Sequence, residues 1–130
     1  MMADTKHTTA ALKLSGHVKT ELYTVGPRIG STVLHSCQVA NTEDDSIEVT
    51  VEYYQASTSL GFTIIKKATV PVGAALNVLS DALHLNTGDR ILVSLEVAAD
   101  ATDNTPASAD IVASLTEYES EDSDGGLYNG

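Results

Sequence analysis

Ser46-Ile47-Glu48-Val49-Thr50-Val51-Glu52-Tyr53-Tyr54-Gln55 decides the fold. Ile47, Val49, Val51 and Tyr53 fall on one side of an extended chain, and Glu48, Thr50, Glu52 and Tyr54 fall on the other. Side chains alternate between the two faces of a β-strand, so this period of two predicts a strand with one buried and one wet side. Asp89 to Val97 repeats the pattern, with Ile91, Val93, Leu95 and Val97 inward against Arg90, Ser94 and Glu96. Thr32 to Ala40 is apolar on both faces and reads as a more central strand, with Val33, His35, Cys37 and Val39 assigned to the core side. Thr20–Val25 and Asp110–Tyr118 complete the strong candidates. Phe62–Val70 is β-rich but interrupted by Lys66-Lys67, a pair suited to guarding an edge strand against stray pairing.

Turn residues separate these runs: Gly26-Pro27, Asn41-Thr42-Glu43-Asp44-Asp45 and Asn86-Thr87-Gly88-Asp89. Strands recurring about every ten to fifteen residues with such punctuation predict an all-β fold, a single antiparallel β-sandwich of jelly-roll or Ig-like type. One segment reads two ways. Within Gly73–Leu85, Ala75, Leu76, Val78, Leu79, Ala82 and Leu83 sit at helical spacing, yet the same residues fit two short strands around a Ser80-Asp81 turn. The strand reading is preferred because it keeps Leu83 and Leu85 on one face and runs into the Asn86–Asp89 turn without a change of element. Ala98 to Ala109, which holds Asp100, Asp103, Asn104 and Pro106, is expected to be an exposed loop.

The ends differ from the middle. Residues 1–13 read as an N-terminal arm, residues 14–119 as the β-sandwich, and residues 120–130 as an acidic, glycine-containing C-terminal tail. Both arms are expected to gain their order mainly from neighbouring subunits. The first thirty residues carry four cations (Lys6, Lys13, Lys19, Arg28) against Asp4 and Glu21, a net of +2, which leaves −13 for the rest of a chain whose total is −11. That asymmetry suits head-to-tail packing of copies, although ordinary solvated surface charge is the preferred reading.

Composition excludes several classes. No apolar run approaches the roughly 18 residues of a membrane span, and Met1–His7 lacks the hydrophobic stretch of a secretory signal. A charge of −11 opposes nucleic-acid binding, which needs clustered Lys and Arg. One cysteine makes neither an internal disulfide nor a Cys-rich zinc site. With no Trp, one Phe and five Tyr, the chain has few rings for a sugar-stacking platform, and a carbohydrate- or receptor-binding module would have to use Tyr53, Tyr54 or Tyr118.

Catalytic and metal-binding patterns are weak. Of the four histidines, only His35 stands two residues from Cys37, a spacing that a Cys/His nucleophile pair or a zinc clip needs. Both lie on the face that carries Val33 and Val39 and reads as core, so packing is the simpler role for them. Glu43-Asp44-Asp45, Asp100 with Asp103 and Asn104, and Asp122 with Asp124 offer oxygen ligands, but none has calcium-loop spacing. No nucleophile elbow, phosphate-cradling loop or His-Glu-x-x-His helix is present. The expectation is a protein without enzymatic activity, to which no catalytic, cofactor-binding or metal-binding residue is assigned.

Four stretches together resemble small β-sandwich structural proteins of tailed bacteriophages: Leu22-Tyr23-Thr24-Val25, Val39-Ala40-Asn41-Thr42, Val70-Pro71-Val72-Gly73-Ala74 and Leu85-Asn86-Thr87-Gly88-Asp89-Arg90-Ile91. The resemblance covers Thr20 to Val97 and, more loosely, Asp110 to Tyr118. Gly26-Pro27-Arg28 stands where a Pro-Ala-Gly turn is typical, and the acidic tail also departs from the pattern. The resemblance implies a multi-copy virion component of the neck, tail or baseplate, or a capsid decoration protein. It implies as partners other copies of the chain and other virion proteins; from charge and hydropathy no nucleic acid or membrane is expected, and no cofactor is assigned.

Overall fold

Alternating apolar and polar residues become nine strands in the computed structural model, which describes residues 5–97 and 107–120. In chain order these are β1 (Thr5–Ser15), β2 (Thr20–Thr24), β3 (Ile29–Asn41), β4 (Ile47–Gln55), β5 (Leu60–Val70), β6 (Ala75–Asn77), β7 (Leu83–Asn86), β8 (Arg90–Val97) and β9 (Ser108–Glu119). The chain is all-β, and the described residues contain no helix. Gly73–Leu85 follows the strand reading: β6 and β7 flank the Ser80-Asp81 bend and pair with the two halves of β3.

The pairing nests like a folded ribbon. β4 pairs with β5 at the apex, then β3 with β6 and β7, β2 with β8, and β1 with β9, always antiparallel. Wrapping the ribbon brings β9 beside β3 and β8 beside β4. One sheet then runs β1-β9-β3-β6 with β7 also on β3, and the other runs β2-β8-β4-β5. Strands β1 to β4 alternate between the sheets, the rolled connectivity of a jelly roll.

The sheets bury an aliphatic core. Leu34, Cys37 and Val39 of β3 and Ile111, Ala113 and Leu115 of β9 are at most 1% exposed. Opposite them lie Ile47, Val49 and Val51 of β4 and Ile91, Val93 and Leu95 of β8. Two polar residues fix the corners. Asn41 donates Nδ2 to the carbonyls of Asp45 (2.9 Å) and Val70 (3.0 Å) while its Oδ1 accepts from Glu43 N (2.7 Å), which orders the β3–β4 turn. Buried Asp89 accepts from Tyr53 Oη (2.7 Å), Asn86 N (2.9 Å) and Ala56 N (3.0 Å). Gly88, at φ +89°, supplies the left-handed residue that the Asn86–Asp89 turn needs.

Three expectations need correction. Residues 5–13, read as an arm, form most of β1. Thr8, Ala10, Leu12 and Leu14 face inward, and the strand pairs with β9 from Thr5↔Tyr118 to Ser15↔Ser108. The sandwich therefore includes residues 5–13, ahead of the expected start at residue 14. The expected Ala98–Ala109 loop ends early, because Ala107 and Ala109 are buried and β9 starts at Ser108; Asp100, Asp103, Asn104 and Pro106 lie outside the described residues. His35 is not a core residue. The β3–β9 register slips between Leu34 and Ser36, so His35 is the extra residue of a β-bulge. Thr32 and Leu34 face inward before the bulge, Cys37, Val39 and Asn41 after it, and His35 is exposed.

The edge expectation for Phe62–Val70 holds. β5 ends its sheet, and Lys66-Lys67 forms a bulge opposite Thr50, with Lys67 at φ +52° and its N–H donating to Thr50 Oγ1 (3.0 Å). Of the C-terminal tail only Ser120 is described; its N–H donates to Arg28 O at 2.9 Å.

Candidate assembly surfaces

The bulge at His35 decides which chemistry is absent and which is present. It puts His35 and Cys37 on opposite faces of β3, so the two do not meet as a catalytic or metal-binding pair. Cys37 is fully buried, and burial pushes its thiol up to about 11, which withholds the thiolate that a nucleophile or metal ligand requires.

Outside the sheet, His35 finds a different neighbour. Its Nε2 lies 2.7 Å from Thr116 Oγ1, and His7 Nδ1 lies 3.0 Å from the same oxygen. The two ring nitrogens are therefore within about 6 Å of each other. A hydroxyl has one hydrogen and two lone pairs, so Thr116 can donate to one imidazole and accept from the other. The rings and neighbouring strands leave Thr116 2% exposed although it points away from the core. His84 occupies the same row, because it pairs with Val33, which pairs with Thr116. Reading the sequence missed this cluster, since His7 was placed in an arm and His35 in the core. Among the described residues no three His, Cys, Asp or Glu side chains converge as metal ligands.

The remaining candidates are scattered. Glu43 Oε2 accepts from Ser108 Oγ, and its loop is held by Asn41, so the Glu43-Asp44-Asp45 run is engaged in turn structure. Asp122 and Asp124 lie outside the described residues. Tyr53 is tied to Asp89, and burial together with that carboxylate raises its phenol above the ordinary range. Tyr54 lies under Arg90, whose guanidinium carbon is 5.2 Å from the ring centroid. Tyr118 sits on β9 in the other sheet, so the three rings do not line one cleft.

The outer faces of the two sheets differ in chemistry. On the β9 sheet, β1 presents Thr5, His7, Thr9, Ala11 and Lys13, opposite Tyr118, Thr116, Ser114, Val112 and Asp110 of β9. Beyond them β3 adds Ser31, Val33, Ser36, Gln38 and Ala40. The only full charges in these rows are Lys13 and Asp110, and they bind each other at 3.1 Å. On the β8 sheet the outward residues include Glu21, Glu48, Glu52, Arg90 and Glu96, with Lys19 reaching Glu52 (2.9 Å) and Lys67 reaching Glu96 (3.6 Å).

No family model and no curated protein matches the chain. Solved structures do resemble it in fold. A chain from the disulfide-linked pili of Bacillus endospore appendages aligns with a TM-score of 0.55 at 8% identity, covering 92% of this chain and 93% of that one. A chain of the infectious bursal disease virus T13 particle aligns with a TM-score of 0.55 at 13% identity, over 90% of this chain but only 36% of its own length. A chain from the acid-stable capsid of Helicobacter pylori bacteriophage KHP30 aligns with a TM-score of 0.54 at 10% identity, over 89% of this chain and 93% of that one. At these identities the likeness concerns the fold.

Proposed function

We propose that this chain is a non-enzymatic structural subunit of a virion, present in many copies and held by non-covalent contacts. The observation that carries the reading is the end-to-end match to a phage capsid chain of nearly the same extent, 89% of one and 93% of the other. A fold shared over whole chains differs from a module borrowed inside a larger protein. The all-β architecture supports the same reading: its polar networks at Asn41 and Asp89 organise turns, and its thiol is sealed in the core. The pilus likeness points to the same class of repeated assembly but by another bond. Those pili are disulfide-linked, whereas Cys37, the one cysteine here, is buried.

Within that class, the resemblance in the sequence favours a tailed phage, with the subunit in the neck, tail or baseplate or on the capsid as a decoration protein. Quantitative mass spectrometry of density-gradient-purified particles from the source culture tests both levels. The chain is expected at about a dozen copies per particle for a neck or tail position, and at hundreds for the shell. Its absence from purified particles would overturn the proposal. Thiol alkylation addresses the non-enzymatic part: Cys37 is expected to stay unmodified until denaturant is added, and rapid labelling of the native protein would reopen a Cys/His mechanism.

A further inference from the structure

A chain carrying −11 meets a problem when it packs against itself, because most of its surface repels a second copy. The outer face of the β9 sheet escapes that problem. Its middle is built from Thr9, Ala11, Ser36, Gln38, Val112 and Ser114, all uncharged, and the nearest charges neutralise each other as the Lys13–Asp110 pair. Val112 is 45% exposed there, a β-branched apolar side chain in the centre of a wet face. Tyr118, 40% exposed, stands in a row toward one end of the same face. Depletion of charge with an apolar centre and an aromatic contribution is the composition of an interface core.

The size also fits. Three strands about 4.8 Å apart with eleven paired residues rising about 3.4 Å each, and seven more residues of β6 and β7 beside β3, make a face of roughly 650 Å². A standard stable interface buries about 800 Å² per partner. Small hydroxyl and methyl side chains let two such faces approach to the roughly 10 Å spacing of packed sheets. The β8 sheet offers no such option, since bringing Glu21, Glu48, Glu52 and Glu96 against a second copy would desolvate four carboxylates.

We infer that the outer face of the β9 sheet is a contact between copies of this chain, with a second copy as its occupant. This deepens the reading as a multi-copy subunit and rests on it. The two fail separately, because particle composition tests the reading while solution assembly of variants tests the face.

Sedimentation velocity over a micromolar concentration series measures the assembly. The wild-type chain is expected to form a dimer or higher oligomer. Val112→Glu and Ser114→Lys are each expected to weaken association by roughly tenfold or more, because either sign of charge would be desolvated at the contact. The pair separates a contact from a bulk charge effect: if net charge alone governed association, Ser114→Lys would strengthen it. Thr69→Lys, on the outer face of the other sheet opposite Glu48, is expected to leave association unchanged. Both β9 positions are exposed, and circular dichroism checks that the variants remain folded. A wild-type chain that stays monomeric throughout overturns the inference, as does an oligomer that both β9 variants leave intact or that only Thr69→Lys disrupts.

Discussion

The two outer faces of this sandwich are made from the same strand geometry and carry opposite surface chemistry. On the β8 sheet, Glu48 and Glu52 of β4 and Glu96 of β8 stand outward, and lysines reach across to Glu52 and Glu96. Such a face gains from hydration and gives little stability through its exposed ion pairs. On the β9 sheet, serine, threonine, alanine and histidine replace the acids, and the one ion pair sits toward one end. The core between the sheets needs neither arrangement, because either pattern of inward Leu, Ile and Val would fold. On the inferred contact between copies, the difference concerns what each face meets after folding: water on one side and protein on the other.

That comparison can be attacked through β9, whose two sides have different fates. Leu115→Ala opens a cavity in the core and is expected to cost about 3 kcal/mol in urea denaturation, whereas Ser114→Ala on the outer side should lie within about 0.5 kcal/mol of wild type at concentrations where the chain is monomeric. A comparable cost for both would mean that the outer side is already structural within one subunit. Asp89→Ala is expected to cost about 2–3 kcal/mol, because it strands the Tyr53 hydroxyl and two backbone N–H groups; the same denaturation curve reads it.

Tyr23 gives a pH signature at the inner end of the sandwich. Its hydroxyl donates to Glu117 (2.6 Å) and meets Thr32 Oγ1 (2.9 Å), and burial followed by the Glu117 contact raises its pKa from 10.0 to about 12. A folded-state pKa above the unfolded one means that the folded chain holds the proton more tightly. The associated stabilisation is present in full below pH 10 and is lost as pH rises toward 12. Across that window the melting temperature should fall more steeply with pH in wild type than in Tyr23→Phe. A modest effect belongs to the outer cluster. Thr116→Val keeps the shape but removes the oxygen shared by His7 and His35, and it should cost about 1 kcal/mol with faster hydrogen exchange in β1. Unchanged β1 exchange would mean that the histidines do not help hold the edge strand.

Much of this architecture was legible, for a physical reason. Strands β4 and β8 each have one core face and one wet face, so Ile47-Val49-Val51 and Ile91-Val93-Leu95 declare both the element and its orientation. β1 was hidden because an edge strand pairs on one side only and its inward residues Thr8 and Ala10 are weak signals; Leu12 and Leu14 continue the same alternation across the boundary assigned to the arm. The bulge at His35 was misread because Val33, His35, Cys37 and Val39 make an unbroken alternate row. Leu34 was the signal against it: Leu34 and Cys37 are both fully buried although three residues apart, which a regular strand does not permit without an inserted residue. The histidine cluster depended on both errors at once. No spacing in the sequence links His7 to His35, because Thr116 joins them from the far end of the chain.

Cryo-electron microscopy of the gradient-purified particle tests the central claim most directly. The account predicts symmetric copies of this jelly roll with Val112 and Ser114 of each subunit covered by a neighbouring copy and Glu48 and Glu96 open to solvent. Copies that meet through the glutamate-bearing face while the β9 face lies bare would contradict it.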